Sequence, residues 1–407
     1  MKKISKCRAC NSGKLKRFFD LGKHPLANAL SASRNAKEKL YSLSLSWCSS
    51  CKLVQLNETI DPKELFSNYV WVTGTAASTR SFAENFCNEL LNRFGGQKPN
   101  YVLEIASNDG TFLTPFIKKE IKVLGVDPAR NIVNTALKRG IATECTFWGR
   151  DSARKLIKKY SRPKIIFARN VLPHVADSND FVLGVAESLD SSGIAAFEVH
   201  YGGTILKDLH YDSIYHEHLC YFTLKSLEGL LNRHGLFVFD LLESPISGGS
   251  IIVYASPKKH RPGKKLIIYR TNEGREKINN FSSWRDFAAR AYSHRSELLN
   301  VISDLRGKGH RIVGYGASAR SSTLLNFCSI DSKTLPMIAD LSPLKQGKFT
   351  PGSHIPIVKP SLILNPQPDY ILILAWNFAD EIRKFFEVEL NYHGRYIIPL
   401  PNKLHII

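Results

Sequence analysis

Residues 101–129, YVLEIASNDGTFLTPFIKKEIKVLGVDPA, leave few folds open to this chain. An apolar run of strand length, YVLEIA, breaks at residues 107–110. A helical TFLTPFIKK follows, and a second run, KVLGVD, closes on an acidic residue. Strand, turn, helix and strand in that order build a parallel, doubly wound α/β sheet. Ligands of such sheets bind outside the carboxyl ends of the strands, so the turn (Ser107, Asn108, Asp109, Gly110) and Asp127 should flank one crevice. Asp127 is placed to hold ribose hydroxyls.

Charge then sorts the cofactor. A dinucleotide needs several glycines so that its pyrophosphate can approach a helix N-terminus, and Gly110 stands alone in this loop. Glu104 and Asp109 add negative charge where a pyrophosphate would rest, which repels it and favours a cationic ligand. S-Adenosylmethionine carries a sulfonium and an ammonium and no phosphate, and is the expected cofactor. The plainer alternative is an α/β domain without a cofactor, because short glycine motifs recur by chance.

The alternation continues to about residue 257. KIIFARNVL reads as a third strand, NDFVLGVAESL as a helix, GIAAFEVHY as a fourth strand and GGSIIVYAS as an edge strand. Asn170 and His174 follow the third strand, and His200 and Tyr201 the fourth. YHEHLCY comes next, packing Tyr215, His216, Glu217 and His218 into one turn's length, a density that points to acid–base work. Histidine is the side chain most readily poised near neutral pH, which makes His218 a candidate base against a structural role. His216 and His218 share a face only if the segment is extended. A zinc reading of this H-E-H is weak, because the HExxH spacing is absent.

Upstream, Cys7 and Cys10, then Cys48 and Cys51, form two C-x-x-C pairs. Two such knuckles complete a four-thiolate, tetrahedral structural zinc site with no open position; a redox dithiol is the alternative. The long insertion, residues 11–47, must loop out as a hairpin or small subdomain. Cys87, Cys145, Cys220 and Cys328 sit in apolar contexts and are expected in cores. Tyr69 and Trp71 lie in a loop before a helix over residues 76–94, where they serve packing or a ligand.

PKKHRPGKK, residues 257–265, reads as a domain boundary. A long helical stretch leads into RIVGYGASARSSTLLNF, a second strand, turn and helix. There Gly314 and Gly316 free the backbone for a ligand, or merely for tight packing, and Arg320 adds a cation for a phosphate. MIADLSP, HIPIV and DYILILAW read as further strands. The formal charge of +20, from 56 Lys+Arg against 36 Asp+Glu, favours anionic partners. No basic run reaches five residues, so neither a nucleic-acid groove nor a membrane surface is expected. With no long apolar run and no signal-peptide core, a cytoplasmic protein is expected.

The cysteine knuckles, DLGKHPLANAL, EIASNDG, NVLPHV, YHEHLCYF, GYGASAR with TLLNF, and DLSPLKQGKFTPGSHIPIV occur in that order over nearly the whole chain. As a series they resemble the nucleotide-sugar C-methyltransferases. The resemblance implies a zinc-binding module (1–70), a central class I methyltransferase domain (71–257) and a C-terminal Rossmann-like domain (258–407), with a nucleoside-diphosphate 4-keto-deoxysugar between the last two, methylated beside its ketone at C3. Carried over residue by residue, His218 is the base, Tyr215 and Glu217 bind or polarise the ketosugar, and His174 lines the pocket. Asn170 and Ala106 join Glu104 and residues 107–110 at the cofactor. Tyr69, Trp71, His200, Tyr201, Gly316 and Arg320 fall to the substrate. Three positions depart from the family pattern. Ala106 replaces a glycine, which is harmless only at negative φ; Trp71 replaces a tyrosine; Arg320 replaces a lysine. A monomer is expected. A nucleic-acid methyltransferase with zinc knuckles and a non-catalytic sugar-nucleotide-binding protein are the rival readings.

Overall fold

The computed structural model describes residues 1–66, 73–75, 77–245 and 248–407. The central sheet has seven strands. Val102–Ile105, Val123–Asp127, Thr143–Cys145, Ile165–Arg169 and Ile194–His200 run parallel, and Phe237–Ser244 and Ser250–Ser256 complete it. Numbered along the chain, the spatial order is 3-2-1-4-5-7-6, with the last strand antiparallel to the fifth. Ser250–Ser256 is therefore interior, where an edge position was expected. All seven of its residues are buried, and Phe237–Ser244, partly exposed, takes the edge.

Period-two alternation divides the sheet between two cores. Val102, Ile165, Phe167 and Ile194 meet Phe82, Phe86 and Leu90 of the helix Ala77–Arg93, close to the expected span. Leu103, Ile105, Ile166 and Phe197 face a larger core that runs on into both flanking domains.

The N-terminal domain is a hairpin of Leu15–His24 and Tyr41–Cys48 that fills the long insertion between the cysteine pairs. Its sheet continues through Val54–Leu56 and ends in Cys220–Tyr221, a strand supplied by the central domain. The two knuckles repeat one geometry. The Cys7 carbonyl accepts from Asn11 N and the Cys48 carbonyl from Lys52 N, and Asn11 and Lys52 are both left-handed.

The C-terminal sheet has the order 3-2-1-4-5-6: Ile312–Tyr315, Ile338–Ala339, Ile357–Val358, Tyr370–Ile373, Arg395–Ile398 and the antiparallel His405–Ile406. This is the strand order of a dinucleotide-type Rossmann sheet. The helix Phe281–Gly307 joins it to the rest, burying Trp284, Phe287, Ala288, Ala291, Leu298, Ile302 and Leu305 at helical spacing. Phe19 of the N-terminal hairpin packs edge-on against Phe287 and Phe327, at 5.9 and 5.6 Å between centroids, so all three domains share a core. Cys145 departs from expectation: it ends a short strand at the rim and is exposed.

Because the zinc-domain sheet holds Cys220–Tyr221, metal and fold are coupled. Cys48→Ser should lose the metal and lower the thermal midpoint by several degrees, with activity falling alongside. Metal content together with scanning calorimetry tests this; an unchanged midpoint in metal-free protein would contradict it.

Candidate functional site

The four sulfurs of Cys7, Cys10, Cys48 and Cys51 all lie within 4.8 Å of one another, and no cysteine is in a disulfide. Sulfurs about 2.3 Å from a tetrahedral zinc lie about 3.8 Å apart, which this set meets with small adjustments.

In the central loop, Asp127 accepts from Asn108 N through Oδ2 (3.0 Å) and from Ala129 N through Oδ1 (2.9 Å). The acid at the end of the second strand thus anchors the loop after the first. Gly110 is required where it stands: φ is 74°, and a Cβ would lie 2.3 Å from Ile141 Cδ1. Asp109 contributes less charge than expected, since its carboxylate pairs with Arg139 Nη1 (2.6 Å) and accepts from the Thr111 hydroxyl. Glu104 is different. It is 3 % exposed, its Oε2 has no partner, and burial raises its pKa well above the usual carboxylate value. The Ser107 hydroxyl is likewise buried and unpaired. A buried carboxylate oxygen awaiting a donor fits the ammonium of S-adenosylmethionine, so the residues suit that cofactor. Ala106 is left-handed, with φ 56°, the case in which replacing glycine carries a strain.

The turn at 215–218 presents its side chains in different directions. His216 Nε2 bonds the Ser42 carbonyl (3.2 Å) in the N-terminal sheet. Glu217 accepts from Asn28 Nδ2 (2.6 Å), and burial pushes its pKa up to about 7. His218 alone of the two histidines lines a cavity of about 180 Å³, together with Asn170, His174, His200, Ser213, Tyr221 and Arg320. His218 Nδ1 lies 2.8 Å from the Ser213 carbonyl, which can only accept, so Nδ1 carries the proton. Nε2 is then a lone pair, and it accepts from the Tyr215 hydroxyl at 2.7 Å. Burial, followed by His174 and His200, holds its pKa well below the usual histidine value. A neutral imidazole of fixed tautomer is equipped to take a proton. His174 packs against it, 4.8 Å between centroids, with Nδ1 unpaired. Tyr221 Oη is also buried without a partner.

Other residues stand elsewhere. The Tyr201 hydroxyl bonds Glu273 Oε1 (2.9 Å) under the helix Lys264–Arg275, which makes it a packing residue outside the cavity. Gly316, φ 98°, packs on Ala375, which a Cβ would approach to 2.7 Å. His200 Nε2 meets His210 Nδ1 at 3.2 Å. Tyr69 and Trp71 lie outside the described residues. Tyr221, Ser213 and Asp212 were not singled out in the sequence. Tyr221 belongs to a quoted motif, but nothing in the residue order distinguishes Ser213 or Asp212.

Family models match in three parts: a zinc binding domain over residues 7–66, a methyltransferase domain over 79–241 and a C-methyltransferase C-terminal domain over 245–401. The C-methyltransferase NovU of Streptomyces niveus is 31% identical over 402 residues, covering 98% of this chain and 96% of the relative. The chain belongs to the C-methyltransferases. Its methyl donor is S-adenosylmethionine and its cysteine cluster is a zinc site. Solved structures are more distant. An S-adenosylmethionine-dependent methyltransferase from Clostridium acetobutylicum is 12% identical, covering 45% of this C-methyltransferase and 92% of that chain, at a TM-score of 0.35. A magnesium protoporphyrin IX methyltransferase from Synechocystis, solved with bound SAM, is 12% identical over 43% and 78%, at 0.33.

Two outcomes are expected from this geometry. Ala106→Gly should raise the unfolding free energy by about 0.5–1 kcal/mol, the left-handed strain less the added chain entropy, as read by urea denaturation. Burial also holds His174 (about 4), His210 (about 3), His200 and His218 below their ordinary value. Below about pH 6.5 the unfolded chain takes up protons that these groups refuse in the fold, so stability falls as pH falls. Glu58, Glu104, Asp127 and Glu217, raised by burial, act in the opposite sense, but His24, His216, His234 and His294 are lowered too, so the histidines outnumber them. The thermal midpoint of zinc-replete protein should drop between pH 7.5 and 5.5, and a constant midpoint would count against neutral buried histidines.

Proposed function

We propose that this C-methyltransferase acts on a 4-keto-deoxysugar carried by a nucleoside diphosphate, at the carbon beside the ketone. The observation that carries the reading is the cavity between the central and C-terminal sheets. It is lined by a neutral histidine whose Nε2 lone pair is held by the Tyr215 hydroxyl, and bordered by Tyr221 Oη and His174 Nδ1, neither with a hydrogen-bond partner. Such a site suits a compact polar ring with a carbonyl. The C-terminal sheet supports a nucleotide on the far side: its strand order is that of dinucleotide-binding folds, and the GYGASAR turn opens on the helix Ala319–Phe327.

When bound, S-adenosylmethionine supplies an electrophilic methyl that an enolate carbon can take up. Glu104 would hold its ammonium and Asp127 its ribose, with Ser107, Asn108 and Asn170 around it. In this reading His218 Nε2 removes the hydrogen beside the ketone, a general-base contribution of roughly 10²–10⁴-fold. Tyr215 surrenders its bond to Nε2 and donates instead to the ketone oxygen, where charge develops. Tyr221 is a second donor within the same cavity. His200 and Arg320 border the sugar, and Glu217 braces the turn against Asn28.

Deprotonation can be read apart from methyl transfer. In heavy water without methyl donor, a 4-keto sugar nucleotide should exchange its C3 hydrogen. His218→Gln should abolish exchange and methylation together while binding both ligands. Asp127→Ala should weaken methylation and leave exchange. A His218→Gln enzyme that methylates at the wild-type rate would remove His218 from the role.

A further inference from the structure

His218 is held by a short segment that another domain grips. Its Nδ1 proton goes to the Ser213 carbonyl, in the single turn Tyr211–Ser213. On either side of Ser213, the C-terminal domain makes direct bonds. Asp212 receives Arg320 in a two-point fork, Nη2 to Oδ1 at 2.8 Å and Nε to Oδ2 at 3.0 Å. Trp376 Nε1 donates to the same Oδ2 at 2.8 Å. The Ile214 carbonyl accepts from the Thr323 hydroxyl at 2.8 Å. Arg320 also lies over the Trp376 ring, 4.6 Å from its centroid, which fixes the plane of the fork.

These bonds are well insulated. Asp212 is 1% exposed, so its carboxylate depends on Arg320 and Trp376 for what water would otherwise supply. Arg320 is itself positioned at the first turn of a helix capped by Ser318, whose side chain accepts from Ser321 N. The Ser213 carbonyl belongs to the Ser213–Ile214 peptide, whose N–H donates to the Tyr211 carbonyl (3.1 Å), and the residues on both sides of it are held by the C-terminal domain. The Ser213 carbonyl therefore points at one place, Nδ1 of His218.

We propose that Arg320 and Trp376 are positioning residues: by holding Asp212 they aim the Ser213 carbonyl that fixes the tautomer of His218, so that the C-terminal domain completes the base of the central one. This rests on His218 being the base. It gives Arg320 a task distinct from gripping a phosphate. Without the lock the carbonyl turns away, Nδ1 loses its acceptor, and Nε2 becomes the competing site for the proton. A ring protonated at Nε2 has no lone pair facing the cavity.

The test is nitrogen NMR of the imidazoles in substrate-free protein, with the His218 signals assigned by their loss in His218→Gln. Wild type should show His218 as the Nδ1–H tautomer alone. Arg320→Ala should show a mixture of tautomers, together with a fall of roughly 10²-fold in the rate of C3 hydrogen exchange at saturating substrate. Arg320→Lys should restore part of each, since it keeps charge and loses the fork. If Arg320→Ala does not fold, Trp376→Phe removes one bond to Asp212 and should give a smaller shift in the same direction. An unchanged His218 tautomer in the folded variant, with only KM raised, would assign Arg320 to ligand binding and overturn the proposal. Failure of wild type to exchange any 4-keto sugar nucleotide would strike the substrate reading instead, and the tautomer comparison would still decide this one.

Discussion

The structure depends on residues 211–221 being held from three sides. From the N-terminal domain, Val54 and Gln55 pair with Tyr221 and Cys220, and Ser42 and Asn28 take His216 and Glu217. From the central domain, the Pro173 carbonyl accepts from Leu219 N. From the C-terminal domain, Arg320, Trp376 and Thr323 take Asp212 and Ile214. A turn of this kind has few backbone bonds of its own, so its shape is imposed by its neighbours. This gives the zinc module a place in the chemistry without bringing the metal near it. The thiolate site stabilises the hairpin, the hairpin supports the sheet, and the sheet takes the strand that carries Tyr221 into the cavity.

Burial is the electrostatic theme of the site. His174, His200 and His218 line one small cavity, His210 sits behind it against His200, and each of the four is held neutral chiefly by desolvation. Four like charges in such a volume would repel strongly, so neutrality is a condition of the arrangement as well as its result. Within it, hydrogen-bond partners decide which nitrogen of each ring is free. For His218 the partners are the Ser213 carbonyl and the Tyr215 hydroxyl, one accepting and one donating, and together they specify a single tautomer.

Much of this was legible in the residue order, because periodicity and short motifs report local structure. The strand-turn-helix units at residues 101–129 and in the GYGASAR region fold as read, and the cysteine knuckles converge with the hairpin looped out between them. The misreadings share a cause: they concern tertiary partners. GGSIIVYAS looked like an edge strand because nothing local shows that Phe237–Ser244 will lie outside it. Asp109 looked like a free carboxylate because Arg139 is thirty residues away in the chain. Tyr201 looked like a ligand contact until Glu273, on a later helix, took its hydroxyl. Asp212 carried no signal, since its partners come from Arg320 and Trp376, more than a hundred residues later.

The two Rossmann-like sheets use one device to build their ligand loops, and the difference between them is charge. In the central sheet Asp127 holds the loop after the first strand through Asn108 N and its own turn through Ala129 N. In the C-terminal sheet Asp340 does the same through Ala317 N and Ser342 N, each at 2.9 Å. Around Asp127, Arg139 offsets Asp109, and Glu104 Oε2 is left buried without a hydrogen-bond partner, ready to ionise against a cation. Around Asp340 the acid is offset by Lys345 at 3.1 Å, and the N-terminus of the helix Ala319–Phe327 adds positive character. A shared loop geometry accommodates a ribose in either place, so geometry alone does not assign the ligands. The charge left over does: the first loop favours a ligand bearing cations, the second is the more tolerant of phosphate, and the cavity with His218 lies where the two domains meet.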